Sequence, residues 1–147
     1  MRTVNEILLE KGPYFNYIEA SASVRDAITL MKSQNISYLI VMEKGNYAGI
    51  VSERDYAHKI VLMNKHSNTT LVKEIMSTDL PVICGTDIGE RCMILMNAVK
   101  SRYLPVFDGL DFKGVITIHD LMRDAIAENQ RIIKSIPGKK FSRYYWI

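Results

Sequence analysis

The chain carries one seven-residue pattern twice, as Gly49-Ile50-Val51-Ser52-Glu53-Arg54-Asp55 and as Gly114-Val115-Ile116-Thr117-Ile118-His119-Asp120. In each, a glycine and two apolar residues lead into a hydroxyl residue, two variable positions and an aspartate, where a strand should give way to a helix. Such a junction exposes backbone N–H groups that, with the helix dipole, favour an anion such as phosphate. The hydroxyl of Ser52 or Thr117 can donate to a phosphate oxygen. One turn later, the carboxylate of Asp55 or Asp120 is an ionised acceptor for both hydroxyls of a ribose. Arg54 would add a fixed charge and forked donors beside the phosphate. His119, at the matching place, brings less charge at neutral pH. Two unequal sites are therefore expected. The same residues also spell the capping boxes Ser-x-x-Asp and Thr-x-x-Asp, which serve only to start a helix. Spacing leaves both readings open.

The elements that must position these residues are themselves duplicated. A shift of 65 residues carries Ile18 onto Ile83, Met31 onto Met96, Tyr38 onto Tyr103, Gly49 onto Gly114 and Asp55 onto Asp120 without a gap. Upstream, Ile7-Leu8 matches Ile75-Met76 at an offset of 68, so the first copy is three residues longer there. Val24, Ala27, Ile28 and Met31 fall at helical spacing behind Ser23 and Asp26, a capping pair. Cys92, Met93, Met96 and Val99 repeat that helix, with Asp87 and Glu90 expected at its cap. The apolar runs 39–42 and 104–107 and the runs 47–51 and 112–116 pair as hairpins across Gly-, Asn- and Asp-rich turns. Helices then begin near Glu53 and Ile118. Each copy reads as strand, helix, hairpin, helix. A unit of about 60 residues is marginal alone, so the two copies should share a core about an approximate two-fold axis, with two related clefts between them.

Composition bounds the remaining choices. The 147 residues are 48% hydrophobic, as expected of a globular chain. No apolar run reaches bilayer length, and Met1–Glu6 lacks the apolar stretch of a secretory signal. A cytoplasmic location is expected. Five of the nineteen Lys and Arg residues lie in 131–147, with none of the sixteen acids, so a neutral-to-acidic body ends in a basic, aromatic tail. That tail could meet nucleic acid, an acidic partner or a neighbouring subunit; packing or dimer contact is favoured over nucleic acid. Cys84 and Cys92 lack the partners of a zinc site and are expected to be reduced and buried. No metal site, P-loop or nucleophile–His–acid set is visible. His58 and His66 are expected at the surface.

Lys73-Glu74-Ile75-Met76-Ser77, Arg102-Tyr103-Leu104-Pro105-Val106 and the two glycine-to-aspartate stretches together resemble the CBS domain, named for cystathionine beta-synthase, in the tandem arrangement called a Bateman module. The likeness spans residues 1–130, and Ser52–Ala57 further resembles stand-alone CBS pairs. It implies an α/β (α+β) fold of two β-α-β-β-α repeats, at 1–68 and 69–130, packed with pseudo-two-fold symmetry. It also implies no catalysis, homodimerisation, and regulatory binding of AMP, ADP, ATP, NAD(H) or S-adenosylmethionine, signalled to a separate protein. By that likeness, Asp55 and Asp120 hold ribose, and Ser52 and Thr117 reach the ribose–phosphate region. Arg54, Arg102 and His119 lie near phosphate, and Ile18 and Ile83 help enclose the adenine. Ile40 stands where Pro105 shows the usual proline, and Ser101 replaces the apolar residue matched by Ile36. These departures point to an altered or nearly empty second cleft. The competing reading is a nucleic-acid or protein-interaction module whose repeats are structural.

Overall fold

A computed structural model describes residues 1–137. Thr3 opens helix α1 (Val4–Lys11) with a complete capping box to Glu6. The first copy then runs through strand β1 (Tyr17–Glu19), α2 (Val24–Gln34), the hairpin β2 (Tyr38–Glu43) and β3 (Asn46–Ser52), and α3 (Glu53–Tyr56). A π-helical turn, Ala57–Val61, continues α3. A single 3-10 turn, Val72–Glu74, leads into the second copy: α4 (Gly89–Val99), the hairpin β4 (Tyr103–Asp108) and β5 (Asp111–Thr117), and the long α5 (Ile118–Ser135). The helix ends two residues before Pro137, which has no N–H to continue it.

The duplication is visible in detail. Both hairpins carry a bulge at the same place, Val41/Met42 and Val106/Phe107. Both middle helices stop on a left-handed residue, Asn35 and its counterpart Lys100, with φ of 52° and 56°. One strand differs. In the first copy β1 lies parallel to β2, pairing Tyr17, Ile18 and Glu19 with Ile40, Val41 and Met42. In the second copy the equivalent pairing shrinks to one bridge, Ile83 with Val106. Proline supplies the reason: Ile40 donates its N–H to Asn16, whereas Pro105 in the same position has no N–H to give.

Side chains on β2 and β4 are buried on both faces, so these strands read as continuous apolar runs rather than alternating ones. Leu39 and Val41 enter a first core with Val24, Ala27 and Met31. Leu104 and Val106 enter a second with Ile83, Cys92 and Met96. Ile40, Ile50 and Val115 form a third between the copies, flanked by Tyr38, Tyr47, Tyr103 and Phe112. Tyr38 stacks near Tyr103 with ring centroids 4.5 Å apart, and Tyr47 on Phe112 at 4.7 Å. In each pair a residue meets its own counterpart 65 positions on, which marks the pseudo-two-fold axis. The segments ahead of the copies cross over. Val4 and Ile7 of α1 pack into the second core, while Val72 and Ile75 pack into the first.

Three local expectations need correction. Asp87 does not cap α4; its carboxylate accepts the Cys84 N–H at 2.8 Å, closing a turn, and Ile88 takes the cap position without a side-chain bond. Ser23 accepts the Asp26 N–H, which is only half of a capping box. Cys84 is exposed on that turn, while Cys92 is buried as expected, and burial pushes its thiol up to about 11.

The motif glycines have a packing role. Gly49 lies under the crossing 76–77 segment, where Ile50 and Ser77 exchange both backbone hydrogen bonds at 3.1 and 2.8 Å. A Cβ on Gly49 would sit 2.7 Å from the Ser77 carbonyl oxygen, and backbone cannot swing aside. Gly114, at φ +145°, is in a region side chains rarely adopt. Gly49→Ala should therefore lower stability by about 1–3 kcal/mol, read as a lower urea midpoint at an unchanged slope.

Candidate functional site

Both glycine-to-aspartate stretches fold as complete capping boxes. The Ser52 N–H and hydroxyl donate to Asp55 Oδ2 at 2.9 and 3.1 Å, and the Asp55 N–H returns to Ser52 Oγ at 3.3 Å. In the second copy the Thr117 N–H donates to Asp120 Oδ2 at 2.8 Å, and the Asp120 N–H to Thr117 Oγ1 at 3.2 Å. The helix-starting use of these residues is thus realised. The N-terminus of α3 is short and already capped, so a bound anion at that place would need side-chain cations rather than backbone N–H groups.

Around Asp55 the molecule opens a cleft of about 350 Å³ between the copies. Four of the sequence-predicted residues, Ser52, Arg54, Asp55 and Arg102, line it together. Lys100 adds a third cation, and Ile50, Leu80 and Val99 supply apolar wall. Glu53 and Asp79 also face it, so the lining carries three cations and three carboxylates. Arg54 bridges the copies by donating to the Lys100 carbonyl at 2.8 Å. On Asp55 the Oδ1 atom meets Lys59 Nζ at 2.8 Å, and Ser77 Oγ reaches it only at 3.4 Å. The long Ser77 contact is the weakest of the four made by the Asp55 carboxylate.

The remaining predicted residues are not brought together. Thr117 and His119 border a depression of about 580 Å³ beside Ile36, Tyr38 and Tyr103, which does not reach Asp120. Asp120 faces a separate hollow of about 100 Å³ with Arg2, Glu10, Lys11 and Arg123. Its Oδ2 also meets Lys11 Nζ, and its Oδ1 meets Arg123 Nη2, each at 2.8 Å. Ile18 packs on the first core and Ile83 lies 2% exposed inside the second. Neither lines these cavities, since both side chains pack into the cores, and the apolar wall of the first cleft comes from Ile50, Leu80 and Val99.

Sequence reasoning missed Lys11, Lys59, Lys100 and Arg123. Lys59 and Arg123 stand four and three residues after their aspartates, a helical spacing that was available as a signal. Lys100 could have been found as the repeat partner of Asn35. His58 and His66 are exposed, as expected. The tail beyond residue 137 lies outside the described residues. Among the described residues, no helix is long and apolar enough to cross a membrane.

Two copies of one strand–helix–hairpin–helix unit joined across a dyad, the first strand of the second reduced to a single bridge, define a tandem-repeat module with a polar cleft at the strand–helix junction of the first. The chain belongs to the CBS-domain family: the model of that domain matches residues 7–62 and again 72–126. It is 27% identical over 143 residues to the mitochondrial CBS domain-containing protein CBSX3 of Arabidopsis thaliana, covering 91% of this chain and 69% of that one. It is 28% identical over 104 residues to the CBS domain-containing protein YhcV of Bacillus subtilis, covering 71% and 74%. Among solved structures, a candidate signal-transduction protein with CBS domains from Burkholderia ambifaria superposes with a TM-score of 0.82 at 34% identity, over 97% of this chain and 99% of that one. A hexameric CBS-CP12 protein from bloom-forming cyanobacteria gives a TM-score of 0.70 at 26% identity, over 92% and 82%.

Electrostatics tie α1 to α5. Asp120 and Asp124 sit one turn apart and are 4% and 3% exposed, a like-charge pair that burial alone would push toward protonation. The hydrogen bonds of Lys11 and Thr117 to Asp120, and of Arg2 to Asp124 at 2.5 Å, more than offset that burial and hold both carboxyls below their ordinary 3.8. The native state therefore binds fewer protons in acid than the unfolded chain does. The stabilisation is fully present above the unfolded carboxyl pKa and disappears as pH falls through the lower native values. Asp124→Asn should lower stability at pH 7 by about 1–3 kcal/mol and flatten the loss of thermal midpoint between pH 5 and pH 3, measured by circular dichroism.

Proposed function

We propose that this protein is a regulatory module that binds one adenosine-type nucleotide in the Asp55 cleft, catalyses no reaction, and passes the occupancy to a separate protein. The observation that carries the reading is the composition of that cleft. A carboxylate with a replaceable hydroxyl contact, an apolar wall and the cations Arg54, Lys100 and Arg102 meet in one cavity of about 350 Å³. That volume lies within the roughly 300–1,000 Å³ of ordinary ligand pockets. Ribose hydroxyls would replace Ser77 Oγ on Asp55, the base would lie against Ile50, Leu80 and Val99, and phosphate would meet the cations. AMP, ADP and ATP suit this set best; NAD(H) and S-adenosylmethionine share the adenosine part.

Coupling to a partner follows from position. Arg54 belongs to the first copy and its acceptor, the Lys100 carbonyl, to the second. A phosphate drawing the Arg54 guanidinium away would exchange a bond between copies for a bond to ligand. A ligand that favours one arrangement of the copies shifts their equilibrium by its difference in affinity. The output surface in this reading is a homodimer contact. Met122, Ile126 and Ile133 form an exposed apolar stripe on α5, and the cyanobacterial relative is hexameric. Ile126→Glu should convert a dimer to monomer in sedimentation equilibrium while leaving the thermal midpoint of the monomer nearly unchanged.

Calorimetric titration with AMP, ATP, NADH and S-adenosylmethionine tests the ligand class. Asp55→Ala should weaken the best of them by about 1.5–3 kcal/mol, the value of hydrogen bonds to a charged group, which is about ten- to hundredfold in Kd. Binding unaltered by that substitution would remove the ribose assignment. Salt-sensitive polynucleotide binding with no response to nucleotide would favour the interaction-module reading.

A further inference from the structure

We infer that the second cleft is closed by the protein's own Lys11, which occupies the place where a ligand would meet Asp120, so that each chain takes a single nucleotide. The comparison between copies carries this. In the first copy the Ile50 carbonyl is satisfied by the Ser77 N–H at 2.8 Å, a backbone contact from the crossing segment. The counterpart of Ile50 is Val115, and the counterpart of Ser77 is Leu9. Leu9 lies within α1, which runs unbroken from Val4 to Lys11, whereas the matching segment of the other copy makes only the turn Val72–Glu74. The α1 backbone is committed to its helix, and the Val115 carbonyl is left for another donor.

That donor is the Lys11 ammonium, 2.9 Å from the Val115 carbonyl and 2.8 Å from Asp120 Oδ2. Lys11 borders both the hollow of about 100 Å³ at Asp120 and one of about 160 Å³ beside Tyr38 and Gly114. In the first copy Asp55 and the counterparts of Lys11 and Tyr38, Asp79 and Tyr103, line one continuous cleft, whereas Asp120 faces only the hollow that Lys11 borders. The counterparts of Arg54, Lys100 and Arg102 line the separate depression of about 580 Å³, which does not reach Asp120, so a molecule lodged there has no access to that carboxylate. With Arg123 on Oδ1 and the Thr117 N–H on Oδ2, the Asp120 side chain is only 2% exposed, against 10% for Asp55.

The repeat offsets extend the contrast to every charged position. Lys11 corresponds to Asp79, His119 to Arg54, Asn35 to Lys100 and Ser37 to Arg102. All three cations that face the first cleft are missing from the second, and Asp120 is met by two cations, Lys11 and Arg123, where Asp55 is met by Lys59 alone. A lysine that satisfies a buried carboxylate and a carbonyl at once is costly to displace.

This inference rests on the reading that the Asp55 cleft takes a nucleotide, and one experiment separates the two. AMP and ATP are titrated calorimetrically into the full chain and into Lys11→Ala, Asp55→Ala and the double variant. One site per chain is expected in the natural protein, two in Lys11→Ala, one in the double variant, and at least tenfold weaker binding in Asp55→Ala. Two sites in the natural protein would overturn the closure, as would a Lys11→Ala protein that still holds one. If no protein binds either nucleotide, the nucleotide reading fails and closure is decided by carboxyl-carbon NMR titration of Asp120. Its midpoint rises in Lys11→Ala if the ammonium fills the cleft, and an unmoved midpoint overturns the inference.

Discussion

Neither copy can complete its own core, and the rest of the molecule follows from that constraint. A unit of about 60 residues leaves too much of its surface in water to be stable alone. Here the deficit is met in two ways. A shared layer of Ile40, Ile50 and Val115 is sealed by aromatic pairs at the dyad, and each leading segment packs into the opposite core. The clefts are products of this exchange. They open where the crossing segment passes the strand–helix junction, so their size and lining depend on how that segment crosses. In the first copy an extended crossing at Met76-Ser77 leaves a continuous space. In the second a helix crosses, and its last residue fills the gap.

The same junction also has to hold its helix in place before any ligand arrives. Ser52 and Asp55, like Thr117 and Asp120, satisfy one another's backbone groups, worth about 1 kcal/mol for each cap. Capping and binding are compatible because they use different valences of the carboxylate. The Oδ2 atom of Asp55 serves the backbone, and Oδ1 meets Lys59 and faces the crossing segment. In the proposed reading a ligand hydroxyl replaces the weak Ser77 contact beside Lys59 and leaves the helix start intact. At Asp120 this separation is lost: Oδ2 is shared between backbone and Lys11, and Oδ1 is taken by Arg123. Equal motifs therefore carry unequal capacity.

Much of this was legible in the amino-acid order. Offsets of 65 and 68, helical spacing in 24–31 and 92–99, and turn residues at the hairpins specify the order of elements, because local periodicity records which face is buried. Ser52, Arg54 and Asp55 follow from the motif, and Arg102 from the family resemblance. What spacing does not encode is the depth at which a side chain ends. Ile18 sits on its expected strand and Ile83 at a single bridge, and both turn inward. Asp87, at a plausible cap position, instead closes the preceding turn, since its carboxylate reaches the Cys84 N–H first. The loss of a first strand in the second copy was readable in principle: Pro105 removes the donor that Ile40 supplies, and the parallel pairing shrinks to one bridge.

Lys11 shows how a duplicated fold can assign different work to its halves with few changes. Retaining α1 as a helix for one more turn costs the second copy a backbone bridge and exposes the Val115 carbonyl. An apolar residue at 11 would leave that carbonyl and the Asp120 carboxylate short of partners, a penalty of about 1–3 kcal/mol for each buried group. A lysine there answers both at once and adds a tie between α1 and α5, alongside Arg2 on Asp124. The second motif then serves stability: its aspartate anchors the leading helix to the last one. In the proposed reading, a ligand entering the first cleft acts beside a half whose leading segment and last helix are tied by two ion pairs. The contact through which that reading couples the copies is the Arg54 bond to the Lys100 carbonyl, at the end of α4.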